Sequence, residues 1–227
     1  MLEHFKRSNF MSMSMPVPLP VRRLPRQTLH HAWAPKLRRP VLFSSAIQLR
    51  LWIMLEAHPG VTSYCERPAR SVEAVTEPLA DFWVMRDGRE QWLSVGGNAG
   101  EQADAHDQQT AAQTSQSAVD VELISEKEVE RHRVWIQNWM SLLPYLATGE
   151  HLIDPTLLVN IIHFFDRPAT IDEAEQHFSR LDPVLVRTAI ISALHGGQLI
   201  SPDLTTLAFS RHIRVTKYRR GETHEAQ

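Results

Sequence analysis

Asp87-Gly88 stands between two apolar runs, ADFWVMR at residues 80–86 and REQWLSV at residues 89–95. Asp-Gly accepts the left-handed backbone that a two-residue β-turn requires at both central positions, so the pattern predicts an antiparallel hairpin. A helix precedes it. Ser44 or Ser45 can cap that helix by accepting a backbone N–H bond, and Ile47, Leu51, Met54 and Leu55 follow at helical spacing. Gln48 lies one turn before Leu51 and Trp52, near this buried stripe. His58-Pro59-Gly60 ends the helix, and the loosely alternating stretch 61–75 predicts one or two strands. A small sheet with a helix packed on it is the expected centre of the first half.

The chain changes character after this hairpin. Residues 96–120, GGNAGEQADAHDQQTAAQTSQSAVD, contain almost no large apolar side chain and predict a flexible linker. The Gly96-Gly97 pair is not followed by Lys-Ser/Thr, so it does not make a phosphate-binding loop. Beyond it the chain turns helical. Residues 127–147 carry Trp135, Trp139, Leu142, Leu143 and Leu146 on one face, and the two tryptophans are read as core rather than a base-stacking platform. Asp154-Pro155 opens a second helix, which ends before Arg167-Pro168. Thr170-x-x-Glu173 is a capping box for a third, and Asp182-Pro183 to Gly196-Gly197 brackets a fourth. Residues 198–200 and 206–215 are expected to pair across a Ser201-Pro202-Asp203 turn. Helices followed by a hairpin are the order of a winged-helix-like unit.

Four segments follow: a basic, Pro-containing arm at 1–40, an α/β domain at 41–97, a linker at 98–122 and a helical winged-helix-like domain at 123–227. The fold class is α+β. With 43% hydrophobic and 22% charged residues, the composition is that of a water-soluble globular chain. No apolar run reaches the ~18–20 residues of a membrane span. No apolar signal-peptide core follows the N-terminal basic residues. Cys65 is the only cysteine, which excludes an internal disulfide and a multi-cysteine zinc site. A cytoplasmic location is expected.

The net charge of −2 hides two basic ends. Arg22, Arg23, Arg26, Lys36, Arg38 and Arg39 crowd the first, and Arg211, Arg214, Lys217, Arg219 and Arg220 the last. These are the candidates for phosphate contacts on DNA. The fourth helix of the second half offers only Arg187, with His195 at its end, where a reader of base edges needs several polar side chains. That favours docking onto protein. The 12 histidines show no ligand spacing, and Cys65 has no sequence neighbour that would activate it as a nucleophile.

Residues 33–97 resemble the catalytic domain of TnsA, the strand-cleaving subunit of heteromeric cut-and-paste transposons, which has the PD-(D/E)XK restriction-endonuclease fold. The likeness rests on Trp33-Ala34-Pro35-Lys36 through Val41-Leu42-Phe43-Ser44-Ser45, on Ser45-x-x-Gln48, and on Leu55-Glu56-Ala57-His58-Pro59-Gly60-Val61. It continues through Glu66-Arg67-Pro68, Ala80-Asp81-Phe82 and Trp92-Leu93-Ser94-Val95-Gly96.

The resemblance implies a restriction-endonuclease-like core, Mg²⁺-dependent phosphodiester cleavage, and three partners: a DDE-type transposase, an AAA+ ATPase regulator and transposon-end DNA. The chain departs from the pattern where chemistry is expected. Gln48 stands for the helix Glu, Ser94 for the strand acid and Gly96 for the Lys; Asp81 alone is retained. One carboxylate is a poor Mg²⁺ cage, so Asp81 is at most a lone metal ligand and no cofactor is expected. The resemblance therefore implies a nuclease-impaired subunit that acts by binding DNA and protein. Two alternatives stay open: an active endonuclease using relocated carboxylates among Glu56, Glu66 and Glu90, and an unrelated winged-helix DNA-binding regulator.

Overall fold

A computed structural model describes residues 15–21, 28–69, 77–96 and 119–219. Residues 97–118, residues 1–14 and 22–27 of the N-terminal arm (with Arg22, Arg23 and Arg26), residues 70–76 and Arg220 lie outside the described residues. Within them the protein is α+β, as the sequence predicts.

The first half begins with β1 (Val17–Pro18), then a hairpin of β2 (His30–Ala34) and β3 (Arg39–Phe43). This hairpin corrects the expected extent of the arm: residues 30–40 are folded, and Ala34 is fully buried. Pro35 and Pro40 suggested irregular chain. Pro35 falls in the turn, and Pro40 falls in a strand with one partner, where a missing N–H is tolerated. Helix α1 (Ala46–Ala57) follows, with Ser45 as its cap, accepting the Gln48 N–H at 3.3 Å. At its other end, Lys36 Nζ donates to the carbonyls of Leu55 and His58 at 3.2 and 2.6 Å, closing groups that a helix terminus leaves unpaired.

Strands β4 (Val61–Glu66), β5 (Pro68–Ala69), β6 (Phe82–Arg86) and β7 (Arg89–Gly96) come next. β5 pairs with β1, and β4, β6 and β7 form an antiparallel meander. The β6–β7 turn is Asp87-Gly88, with φ of 50° and 75°, as the dipeptide predicts. The fourth strand, β8 (Val121–Ser125), was not expected. It takes up the last two residues of the expected linker, 121 and 122, and pairs in parallel with β7, giving the order β4-β6-β7-β8. Val121-Glu122-Leu123-Ile124-Ser125 is too short for its period to declare itself, and only Ile124 enters the core.

Ser125 ends β8 and caps α2 (Glu126–Arg131). The expected single helix over 127–147 is broken at His132, so α3 (Arg133–Gly149) is separate. After a 3₁₀ turn (Glu150–Leu152) come α4 (Pro155–Phe164), β9 (Ala169–Thr170), α5 (Ile171–His177), α6 (Pro183–His195), β10 (Leu199–Ile200), α7 (Asp203–Thr206) and β11 (Arg214–Lys217). The Thr170/Glu173 capping box and the Asp154 and Asp182 caps form as predicted. β11 pairs with β10 and also with β9, a strand the sequence did not announce. The expected tight turn at 201–203 is instead the helical turn α7 and the segment after it. Buried Asn138 of α3 holds this segment: its amide donates to Leu204 and Leu207 carbonyls at 2.8 Å and accepts the Phe209 N–H at 2.7 Å.

The two halves share one core. Helix α1 packs on β2, β3 and β4 and also on α2 and α3. A continuous set of buried side chains runs from Ala34 and Phe43 through Leu55, Phe82 and Leu93 to Leu142, Ile190 and Val215. Each such Leu or Ile is worth ~1.5–3 kcal/mol when buried, so a core continuous across both halves holds them together. Gly197, at φ 74°, sits against this seam: a Cβ there would come within 2.8 Å of the Pro59 Cβ.

Candidate functional site

Asp81 immediately precedes β6, and its surroundings can be built outward atom by atom. Oδ2 accepts the Val95 N–H at 2.7 Å, which pins the carboxylate to β7. Oδ1 accepts from Gln48 Nε2 at 2.6 Å, across 33 residues of sequence. The Asp81 N–H donates to Ser94 Oγ at 3.2 Å. The amide of Gln48 is oriented by its other end, where Oε1 accepts the Ser44 N–H at 3.1 Å and the Ser44 hydroxyl at 2.9 Å. A backbone N–H only donates, so Oε1 faces Ser44 and the NH₂ faces Asp81.

The fold thus brings Gln48, Asp81 and Ser94 together. Gly96 follows Ser94 by two residues on β7, a spacing that puts both on one side of the sheet. Its backbone leaves room: a Cβ at Gly96 would meet Leu123 Cβ at 3.5 Å, an ordinary contact. Burial pushes the Asp81 carboxyl above its ordinary range, against the pull of the Val95 amide, the Gln48 amide and the Arg67 charge. Arg67 was not singled out from the sequence. It has a positive φ of 48° and donates its N–H to the Asp81 carbonyl at 2.8 Å. A left-handed arginine, unlike the Asp of Asp87-Gly88, leaves no mark in sequence.

Mg²⁺ does not fit this arrangement. It requires oxygen donors in near-octahedral array. Asp81 supplies one carboxylate, and the nearest side-chain neighbour aims an NH₂ at it. Among the described residues no group of three or more His, Cys, Asp or Glu side chains is placed to hold a metal ion.

The three carboxylates considered as replacements have other partners. Glu56 is fully buried at the C-terminal end of α1. Its Oε1 accepts the Lys36 N–H at 2.9 Å and lies 2.9 Å from His195 Nε2, while Oε2 accepts from the Tyr64 hydroxyl. Trp52 Nε1 donates to the same hydroxyl at 2.7 Å. Burial and the Glu56 charge both push the Tyr64 phenol up, so it stays a donor. Glu66 takes Arg39 bidentately at 2.5 and 2.6 Å. Glu90 Oε1 accepts from the indoles of Trp83 and Trp92 at 2.7 and 2.9 Å.

The basic candidates divide by their partners. Lys36 caps α1; burial lowers its ammonium to about 8, with Glu56 raising it and Arg86 lowering it. Arg39 is held by Glu66. Arg211 lies 3.3 Å from Asp172, Lys217 lies 2.7 Å from Asp166, and Arg219 donates to the Asp166 carbonyl at 3.1 Å. Arg38 and Arg214 are exposed. Arg187 on α6 reaches buried Glu175 at 2.7 Å and the Tyr145 hydroxyl at 3.3 Å, so the only arginine of that helix points inward. Trp139 is buried and packs edge-on against Trp135, with ring centroids 6.2 Å apart, as core. Cys65 is buried, and burial and the Glu66 charge push its thiol up to about 12, which removes it as a nucleophile at neutral pH.

Among the described residues no helix is long and apolar enough to cross a membrane. Comparison with protein-family models finds none that matches the chain, and comparison with curated proteins finds no significant match.

Proposed function

We propose that this chain is a TnsA-like subunit of a heteromeric DNA transposition complex, with its own nuclease chemistry lost, and that it acts by binding DNA and protein. The observation that carries the reading is the meeting of Gln48, Asp81 and Ser94. They stand 33 and 13 residues from one another along the chain. They are the positions the resemblance marks as the acid set, and their convergence beside α1 and the β6–β7 hairpin supports the reading. An amide and a hydroxyl in place of two carboxylates leave the site with little charge to offer a divalent cation.

Its partners are a DDE-type transposase, an AAA+ ATPase regulator and transposon-end DNA, and its place is the cytoplasm. A winged-helix-like second half is supported by the order α4-β9-α5-α6-β10-α7-β11 with β11 central between β9 and β10. Burial of α6 and the inward use of Arg187 favour protein docking by this unit over base reading.

The test is nicking of supercoiled DNA by the purified chain with Mg²⁺ or Mn²⁺, alone and with its transposase. No cleavage above background is expected. Metal-dependent nicking that disappears in Asp81→Ala overturns the reading. Binding to end DNA should weaken steeply with salt, because phosphate contacts release counterions. A salt-independent affinity contradicts phosphate contacts as the source of binding.

A further inference from the structure

The hydrogen bonds around Asp81 form one unbroken tie. It runs from Ser44, before α1, through the Gln48 amide to Asp81, and from Asp81 to Val95 and Ser94 near the end of β7. Among the described residues Asp81 is its only charged member. Each side-chain atom has the polarity its neighbour needs: Gln48 Oε1 receives two donors from Ser44, and Nε2 supplies one to Asp81.

A carboxylate at position 48 keeps the Ser44 end satisfied and reverses the Asp81 end. Two anionic oxygens would then face each other across the 2.6 Å now spanned by an N–H···O bond. That contact requires a cation or a proton between them. An amide is the group of this shape that serves both ends unaided.

We propose that the Gln48 carboxamide does the structural work of a bridging cation, fastening the first turn of α1 to the sheet in a fold that is consequently independent of divalent metal. The inference stands on this geometry and does not require the transposition reading. A Gln48→Glu substitution removes the fastening and turns the same position into a latent cation site.

The experiment is a set of thermal melts of the full chain in EDTA, then with millimolar Mg²⁺, Mn²⁺ or Ca²⁺. The wild type should melt at the same temperature throughout. Gln48→Glu should melt about 5–10 °C lower in EDTA, the range expected for losing one charge-assisted hydrogen bond in a chain of this size. Mn²⁺ should restore most of that loss, with manganese binding read directly by electron paramagnetic resonance.

The exchanged pair Gln48→Glu with Asp81→Asn places the carboxylate on α1 and the amide on the sheet. Glu at 48 can then accept from Ser44 and from Asn at 81, whose carbonyl oxygen still receives the Val95 N–H. The exchange should recover wild-type melting in EDTA and ignore cations, so the test survives if Gln48→Glu alone folds poorly. Three outcomes overturn the inference: a wild type stabilised by Mn²⁺ through Asp81, a Gln48→Glu chain as stable as wild type in EDTA, or an exchanged pair that recovers nothing.

Discussion

Helix α1 is fastened by a carboxylate network at each end, and the two networks differ in kind. At its N-terminal end the carboxylate belongs to the sheet, the helix contributes a neutral amide, and the partners among the described residues lie in the first half. At its C-terminal end the carboxylate, Glu56, belongs to the helix and gathers donors from the β2–β3 turn, from β4 and, 139 residues away, from His195 of α6. Asp81 is half-buried, whereas Glu56 is fully enclosed. The more deeply buried acid is the one that joins the two halves. A buried, multiply bonded carboxylate is often a first candidate for catalysis, yet here its donors come from elements that must be held in place.

The largest test of this contrast is Glu56→Ala. It strands the Tyr64 hydroxyl, the Lys36 N–H and His195 in a dry interior, and breaking such a buried charged network costs about 3–5 kcal/mol. Urea unfolding followed by both tryptophan fluorescence and far-UV circular dichroism should show one coincident transition shifted to lower denaturant. Two separated transitions would mean that the halves fold independently.

The same network should hold a cut chain together. After proteolysis between residues 97 and 118, the two pieces of the wild type should co-elute on size exclusion, because β8 and α6 both belong to the joint fold. The cut Glu56→Ala chain should come apart at lower denaturant than the cut wild type.

Asp81→Ala should be milder, about 1–2 kcal/mol, since water can reach the donors it leaves behind. A loss as large as that of Glu56→Ala would erase the contrast.

The smallest effect is a pH slope. Lys36 is held at about 8 against an ordinary 10.5. Between those values the unfolded chain carries a proton that the folded chain has released, so stability rises with pH across that window. The difference between wild type and Lys36→Met, measured by urea titration, should therefore increase from pH 8 to 10. A flat difference would show the ammonium to be unperturbed.

The parts of this fold legible in the sequence were those fixed by neighbouring residues. Asp87-Gly88, the Asp-Pro helix starts and the Thr170/Glu173 box act over two to four residues, and each formed as read. The parts missed depend on distant partners. β8 and β9 are short and are strands because β7 and β11 lie alongside them. Residues 30–34 and 39–43 are folded because they pair with each other and pack on α1. At the candidate site, Gln48, Asp81 and Ser94 were legible through the resemblance. The Arg67 backbone and the His195 contact to Glu56 were not, and the Ser44 clamp on the Gln48 amide, though only four residues long, depends on Asp81 holding the other end of that amide.

Gly197 bears on how this protein can diversify. The seam where it meets Pro59 also holds His195 and Glu56, so the two halves are fitted to each other at several positions far apart in sequence. An exchange of halves made between residues 97 and 118 would separate these fitted positions. A helical half brought in from a relative would join this sheet only if it carried a hydrogen-bond donor at 195 and a glycine at 197. Such an exchange is thus restricted by chemistry a hundred residues away, and the two halves are expected to be inherited as a matched pair.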